Sequence, residues 1–95
     1  MARSKISSRK PTIYRSYDGL ETQTIDLSGS EFKRSFFLLV GENGTLYEIT
    51  IWAGSAILSQ ISSSSLLNVS LSNKILTISP LTAGTDLKFV LLYLG

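Results

Sequence analysis

The sequence predicts an all-β protein: a small antiparallel β-sandwich or partly open barrel of about seven or eight short strands, with an extended basic N-terminal arm. Short runs of β-forming residues alternate with turn residues, and no segment has the apolar period of an amphipathic helix. Hydrophobic residues make up 43% of the 95 positions, which is enough for one thin core. We therefore expect a single β-sandwich domain at residues 12–95, preceded by the arm at residues 1–11.

The arm is defined by its charge. The first 17 residues contain no carboxylate and carry a net charge of +5, from Arg3, Lys5, Arg9, Lys10 and Arg15. From Asp18 onward, four basic residues stand against seven acidic ones, which gives a net charge of −3. A cationic segment attached to an acidic body predicts an acidic partner for the arm, either another protein subunit or the phosphates of nucleic acid.

The first half of the domain contains the signals for four strands. Residues 12–17 and 21–27 alternate in the manner of short strands, and turn residues end each run. Residues 36–40 and 46–52 then flank Asn43-Gly44, a strong signal for a hairpin with a two-residue turn. That turn predicts three cross-strand pairs on the core face: Val40 with Tyr47, Leu38 with Ile49, and Phe36 with Ile51.

The second half predicts another hairpin and a last strand. With Asn73-Lys74 as the turn, Leu71 pairs with Leu76 and Val69 with Ile78 on one face, and Ser70 pairs with Thr77 on the other. Residues 56–61 fit either a strand or one helical turn. Residues 86–94 form the last predicted strand, whose two faces are both apolar toward its end: Leu87, Phe89, Leu91 and Tyr93 on one, and Val90, Leu92 and Leu94 on the other.

These assignments leave apolar side chains without a place in the core. A two-layer domain of this size buries only one face of each sheet. If Phe36, Leu38 and Val40 lie in the core, the other face of the first hairpin and the second face of the last strand remain uncovered. The predicted interface residues are therefore Phe37, Leu39, Trp52, Val90, Leu92 and Leu94.

The composition argues against catalysis. The chain has no Cys and no His, which excludes His-dependent triads, imidazole bases, and thiolate or histidine metal sites. The seven acids stand mostly at turns and strand edges. Acids at such positions are expected to keep the surface soluble, whereas a glycosidase needs two carboxylates held across a cleft. We predict a protein that is not an enzyme, with no cofactor, no bound metal and no small-molecule substrate.

The location follows from similar reasoning. The first ten residues are polar and charged and lack the apolar region of a signal peptide. The longest apolar run, residues 89–94, is far shorter than the ~20 residues that a membrane-spanning helix needs. The expected location is a virion or a cytoplasmic assembly, and no membrane partner is expected.

The leading hypothesis is a non-enzymatic structural subunit of a larger protein assembly, expected to be a homo-oligomer. A small virion protein, of the capsid-decorating, cement or tail type, fits β structure, abundant Ser, and the lack of Cys and His. It would dock by its N-terminal arm and its apolar strand faces. One alternative is a nucleic-acid-binding β module that uses the basic arm. A second alternative is a carbohydrate- or receptor-binding β domain that uses Trp52.

Overall fold

The computed structural model describes residues 11–29 and 32–95, and it confirms the predicted antiparallel all-β fold. The eight strands of the described chain are β1 (Thr12–Gly19), β2 (Gln23–Asp26), β3 (Arg34–Gly41), β4 (Leu46–Trp52), β5 (Ser55–Gln60), β6 (Leu67–Ser72), β7 (Ile75–Pro80) and β8 (Leu87–Tyr93). They form two open sheets rather than a closed barrel. The segment at residues 56–61, which fitted either a strand or a helical turn, belongs to strand β5.

The two sheets differ in size. The larger has five strands in the order β1-β8-β3-β4-β5, and the smaller has three in the order β2-β7-β6. The inner faces of both sheets share one core because alternate side chains of each strand point toward it. The fully buried apolar side chains are Ile25, Leu27, Phe37, Leu39, Ile49, Ile51, Leu76, Ile78, Leu87 and Leu91.

The hairpin of β6 and β7 has the predicted register. Asn73 and Lys74 form its turn with φ angles of 50° and 63°, the left-handed pair that a two-residue turn of this type requires. Leu71 lies opposite Leu76, and Ser70 lies opposite Thr77. Apolar residues on one face and hydroxyl residues on the other admit only one register, since a slip of one residue would exchange the two faces.

The hairpin of β3 and β4 does not have the predicted register. Its loop has three residues, Glu42–Gly44, rather than two, and the Gly41 amide donates to the Thr45 carbonyl oxygen at 2.9 Å. Asn43 and Gly44 do adopt left-handed φ angles, 55° and 81°. Because the loop is one residue longer, Val40 lies opposite Leu46 and not opposite Tyr47.

This one-residue difference exchanges the two faces of β3. Phe37 pairs with Ile49 and Leu39 pairs with Tyr47, and both β3 side chains are fully buried. The prediction that Phe37 and Leu39 belong to an uncovered face is therefore wrong. Phe36, Leu38 and Val40, predicted for the core, point outward instead, and 46% of Phe36 is exposed.

Strand β8 lies inside the larger sheet, between β1 and β3. Leu87, Phe89 and Leu91 are buried as predicted, while Val90 and Leu92 occupy the opposite face and are half-buried. Strand β8 therefore has apolar side chains on both faces of the larger sheet. One row fills the core, and the other lies on the outer surface.

An aromatic cluster closes the core where the chain enters the domain. A bulge in β1 between Ile13 and Arg15 breaks the pairing with β8. The Tyr14 ring packs edge-on against Phe32 and Phe37, with centroids 5.5 Å and 5.6 Å away. Phe37 in turn lies 5.1 Å from the ring of Tyr93. Phe37 is therefore the centre of the cluster that attaches β1 to the core.

Candidate interaction surface

The two outer surfaces of the sandwich differ in chemistry. The outer face of the three-stranded sheet is polar, and its cross-strand rows join Thr24, Thr77 and Ser70, and also Ser79 and Asn68. Ile75 is its exposed large apolar residue, with 39% of its surface open. This polar pattern is the one expected for a sheet face that stays in contact with water.

The outer face of the five-stranded sheet is apolar. We call it the outer apolar face and define it by Ile13, Phe36, Leu38, Val40, Leu46, Trp52, Ile57, Val90 and Leu92. The most exposed of these are Ile13 at 63%, Ile57 at 59% and Trp52 at 54%. A contiguous apolar surface of this kind on a small domain marks an interaction site.

Cross-strand pairing makes this face continuous. Val90 lies beside Val40, which lies beside Leu46. One row further along the strands, Leu92 lies beside Leu38, which faces Glu48. The next row joins Phe36, Thr50 and Ile57, and the last joins Arg34, Trp52 and Ser55. Ile13 on β1 lies opposite Leu92, so each of the five strands contributes an apolar side chain to this surface, which Glu48 and Thr50 interrupt.

Besides Asp18 and Lys88, which pair at the margin of this side of the sheet, two charged side chains lie within this face. Glu48 is half-buried and stands between Leu38 and Ser59 in its row. Arg34 places its guanidinium 4.3 Å from the centroid of the Trp52 ring, in a cation–π contact. Trp52 follows Glu48 by four residues on β4, a separation of about 13 Å along a strand, so Glu48 and Arg34 are too far apart to pair within one chain.

The two ends of the sandwich carry opposite charge. At one end, Lys33, Arg34 and Lys74 line an open cleft of about 480 Å³ together with Ser28, Gly29 and Gly54. Pro11, where the arm joins the domain, adjoins β1 at this same end. We call this the basic end. It brings together three of the four cations that follow Asp18 in the sequence.

Among the residues that the structure describes, one carboxylate also lies at the basic end. Asp26 is the last residue of β2, and its Oδ1 accepts hydrogen bonds from the hydroxyl and the amide nitrogen of Ser28, at 2.5 Å and 2.9 Å. These bonds hold the pKa of the Asp26 carboxyl below its usual value. Asp26 is therefore an anion that closes the loop after β2, and it reduces the positive charge of this end only in part.

The opposite end is acidic. Its charges lie at the end of β1, in the turn that follows it, in the loop after β3 and in the loop before β8: Asp18, Glu21, Glu42 and Asp86, with Lys88 as the cation among them. We call this the acidic end. The described part of the sandwich thus has a basic end and an acidic end, at opposite ends of its strands.

The predicted site residues are distributed over different surroundings. Trp52, Val90 and Leu92 lie on the outer apolar face, whereas Phe37 and Leu39 are in the core. Leu94 follows β8 half-buried, and its amide donates to the Phe36 carbonyl oxygen at 2.8 Å. Arg15 is exposed on β1, 5.7 Å from the Tyr14 ring centroid. The remaining arm cations, Arg3, Lys5, Arg9 and Lys10, lie outside the described residues.

Sequence reasoning missed several residues of this surface. Phe36, Leu38 and Val40 were assigned to the core through the register error, and Ile57 stood in a segment of undecided structure. The mid-strand carboxylate Glu48 marks the outer side of β4, since its alternation with Tyr47 and Ile49 places it opposite the core. It does not orient β3, because its partner on that strand depends on the register.

In residues 11–29 and 32–95, no group of three or more acidic, His or Cys residues is arranged to hold a metal ion. No helix within those same ranges is long and apolar enough to cross a bilayer.

Comparisons with known proteins add no relatives. No protein-family model matches the chain, and neither a curated protein nor a solved structure is similar to it.

Proposed function

We propose that the protein is a non-enzymatic structural subunit that docks into a larger protein assembly through the outer apolar face. The observation that supports this most directly is the contrast between the two outer surfaces of one small sandwich. The three-stranded sheet presents hydroxyls and amides, while the five-stranded sheet presents Phe36, Trp52 and Ile57. A domain that worked alone would gain solubility from polar residues on both surfaces.

The energetic reason is the hydrophobic effect. Removing a large apolar side chain from water stabilises a complex by about 1.5–3 kcal/mol when its burial is complete. Three half-exposed residues such as Phe36, Trp52 and Ile57 therefore offset a good part of the cost of association. The ~2–3 residues that dominate an interface are commonly aromatic or arginine, and Trp52 and Arg34 supply both types here.

A virion is the setting we propose for this assembly, in a capsid-decorating, cement or tail role. The reasons are an all-β subunit of 95 residues, rich in Ser, without Cys or His, whose sequence carries a basic N-terminal segment and whose larger sheet has an apolar outer face. The arm would lie along an acidic surface of a neighbouring subunit. Arg3, Lys5, Arg9 and Lys10 supply its charge.

The test of this proposal is the native mass of the purified full-length chain. We expect a discrete oligomer, or a stable complex with a shell or tail protein, rather than a particle of 10.4 kDa. Sedimentation velocity from low to high micromolar concentration measures it. A chain that remains monomeric throughout and binds no shell or tail protein would contradict the proposal.

Nucleic-acid binding is a second candidate. It is favoured by the grouping of Lys33, Arg34 and Lys74 at the basic end, where the arm joins the domain. It predicts that affinity for a generic duplex falls steeply with salt, because each phosphate contact releases a counterion. Changing Lys33 and Lys74 together to Gln should reduce the slope of log K against log salt by about 2. Lys88→Gln, at the acidic end, is the matched control and should leave the slope unchanged. A slope of zero for the unmodified chain would rule this candidate out.

The carbohydrate alternative receives less support from the geometry. A sugar would stack on the Trp52 ring, but the Arg34 guanidinium already lies over that ring at 4.3 Å. Trp52 and Arg34 are arranged as a joint cationic and aromatic contact, which suits a carboxylate-bearing protein partner.

A further inference from the structure

We propose that the occupant of the outer apolar face is a second copy of this chain, packed face to face with its strands antiparallel about a two-fold axis. The axis would cross the strands at the row of Phe36, Thr50 and Ile57. This proposal rests on the proposed function, since it names the partner that covers the docking face. It is carried by how the charges are placed on that face.

The first argument is the position of Glu48 and Arg34. The row of Leu38 and Glu48 lies on one side of the central row, and the row of Arg34 and Trp52 lies on the other at the same separation. A two-fold axis along the central row exchanges these flanking rows between the copies. Glu48 of one copy then lies over Trp52 of the second copy, where the guanidinium of Arg34 is stacked.

This arrangement solves the problem of a carboxylate within an apolar face. Burying Glu48 against a second sheet would be costly if it remained unpaired. In the antiparallel dimer, each Glu48 meets an Arg34 of the other copy, so two ion pairs form symmetrically. An axis parallel to the strands would instead place each row opposite the same row of the second copy. Glu48 would then face Leu38, Ser59 or Glu48 of that copy. Of the two symmetric packings with aligned strands, the position of these charges therefore selects the antiparallel one.

The charges at the ends of the sandwich favour the same packing. An antiparallel arrangement brings the basic end of one copy beside the acidic end of the other, whereas a parallel one places like charges together. Lys33, which precedes β3 in the sheet that forms the interface, would then lie on the side of the second copy where Glu42 and Asp86 stand. The arm joins the domain at Pro11 on the basic end, so it would begin beside the acidic end of the second copy. These exposed charges contribute to orientation and association rate more than to affinity.

The face has the size of a small protein interface. Five strands at a spacing of about 4.8 Å give a width of about 24 Å, and the seven residues of β4 give a similar length. This footprint is about 550 Å², roughly two-thirds of the ~800 Å² of accessible surface that each partner contributes to a standard stable interface. Sheet-on-sheet packing with aligned strands is a common way for such faces to meet.

A charge exchange in the full-length chain tests the proposal. The variants are Glu48→Arg, Arg34→Glu, and the double variant that carries both changes and keeps the wild-type net charge. Each single variant places two like-charged pairs in the dimer, and we expect its dimer dissociation constant to rise by at least tenfold. The double variant should recover most of this loss. An equimolar mixture of the two single variants should form the heterodimer, since every pair is then complementary.

Analytical ultracentrifugation of the wild-type chain and the three variants, together with native mass spectrometry of the mixture, gives the answer. Single variants that dimerise as well as wild type, or a mixture that does not recover dimers, would overturn the antiparallel packing. If the wild-type oligomer persists in those cases, the proposed assembly function stands and only its geometry fails. A wild-type chain that is monomeric but binds a different protein also overturns the dimer alone. A chain that neither self-associates nor binds a shell or tail protein removes both proposals.

Discussion

Replacing Phe37 by Ala is expected to lower the free energy of unfolding by about 3–5 kcal/mol, the cost of removing a fully buried aromatic side chain. Phe37 has no exposed surface and contacts the rings of Tyr14, Phe32 and Tyr93. Its loss leaves a cavity in the cluster that attaches β1 to the core. The change would remove a large part of the ~5–15 kcal/mol that stabilises a typical domain.

Phe36→Ala is the matched control, because it deletes the same atoms from the preceding residue of the same strand. Since 46% of Phe36 is exposed on the outer apolar face, we expect a loss of about 1 kcal/mol. Urea unfolding at concentrations where both variants are monomeric measures the two values. A larger loss for Phe36 than for Phe37 would mean that β3 faces the other way and that the hairpin has its two-residue turn after all.

This comparison matters because the orientation of β3 could not be read from the sequence. Both of its faces are apolar: Phe37 and Leu39 alternate with Phe36, Leu38 and Val40. The hydrophobic pattern therefore does not distinguish two registers that differ by one residue. The loop sequence does not distinguish them either, since a Gly after Asn suits both a two-residue turn and a three-residue loop with a left-handed third position.

The hairpin of β6 and β7 could be predicted because its pattern admits one solution. On β6, Val69 and Leu71 alternate with the polar residues Asn68 and Ser70, so only one face suits the core. The two faces of β8 were also separated correctly, and the one that carries Leu87, Phe89 and Leu91 is buried. Polar residues on one face were thus what made a register predictable.

An uncovered apolar face was predicted from the sequence, but only some of the residues that form it were named. An apolar excess beyond the capacity of a two-layer core was visible in the composition, and Trp52, Val90 and Leu92 were placed on the correct side. The pairing of Arg34 with Trp52 was not foreseen, because it depends on which residues of β3 and β4 lie opposite each other. An error of one residue in a loop therefore changed the membership of the surface without changing the fold class.

Changing Phe36 and Ile57 together to Asp is expected to dissociate the assembly while leaving the subunit folded. Both residues are about half-exposed, and they flank Thr50 in the row at the centre of the outer apolar face. Two carboxylates there would have to lose water on association without a cationic partner, which costs several kcal/mol. The expected result is a particle of 10.4 kDa at concentrations where the unmodified chain is assembled.

The opposite face of the same molecule supplies the control for this experiment. Ser70 and Thr77 form a cross-strand pair on the polar outer face of the three-stranded sheet, and changing both to Asp adds the same charge within one cross-strand row. We expect that variant to assemble like the unmodified chain, with circular dichroism and a urea midpoint recorded for both. Loss of assembly in the control, or retention of it in the Phe36 and Ile57 variant, would show that the apolar face is not the docking surface. The two double variants add the same charge to different sheets, so their comparison separates an effect of net charge from an effect of position.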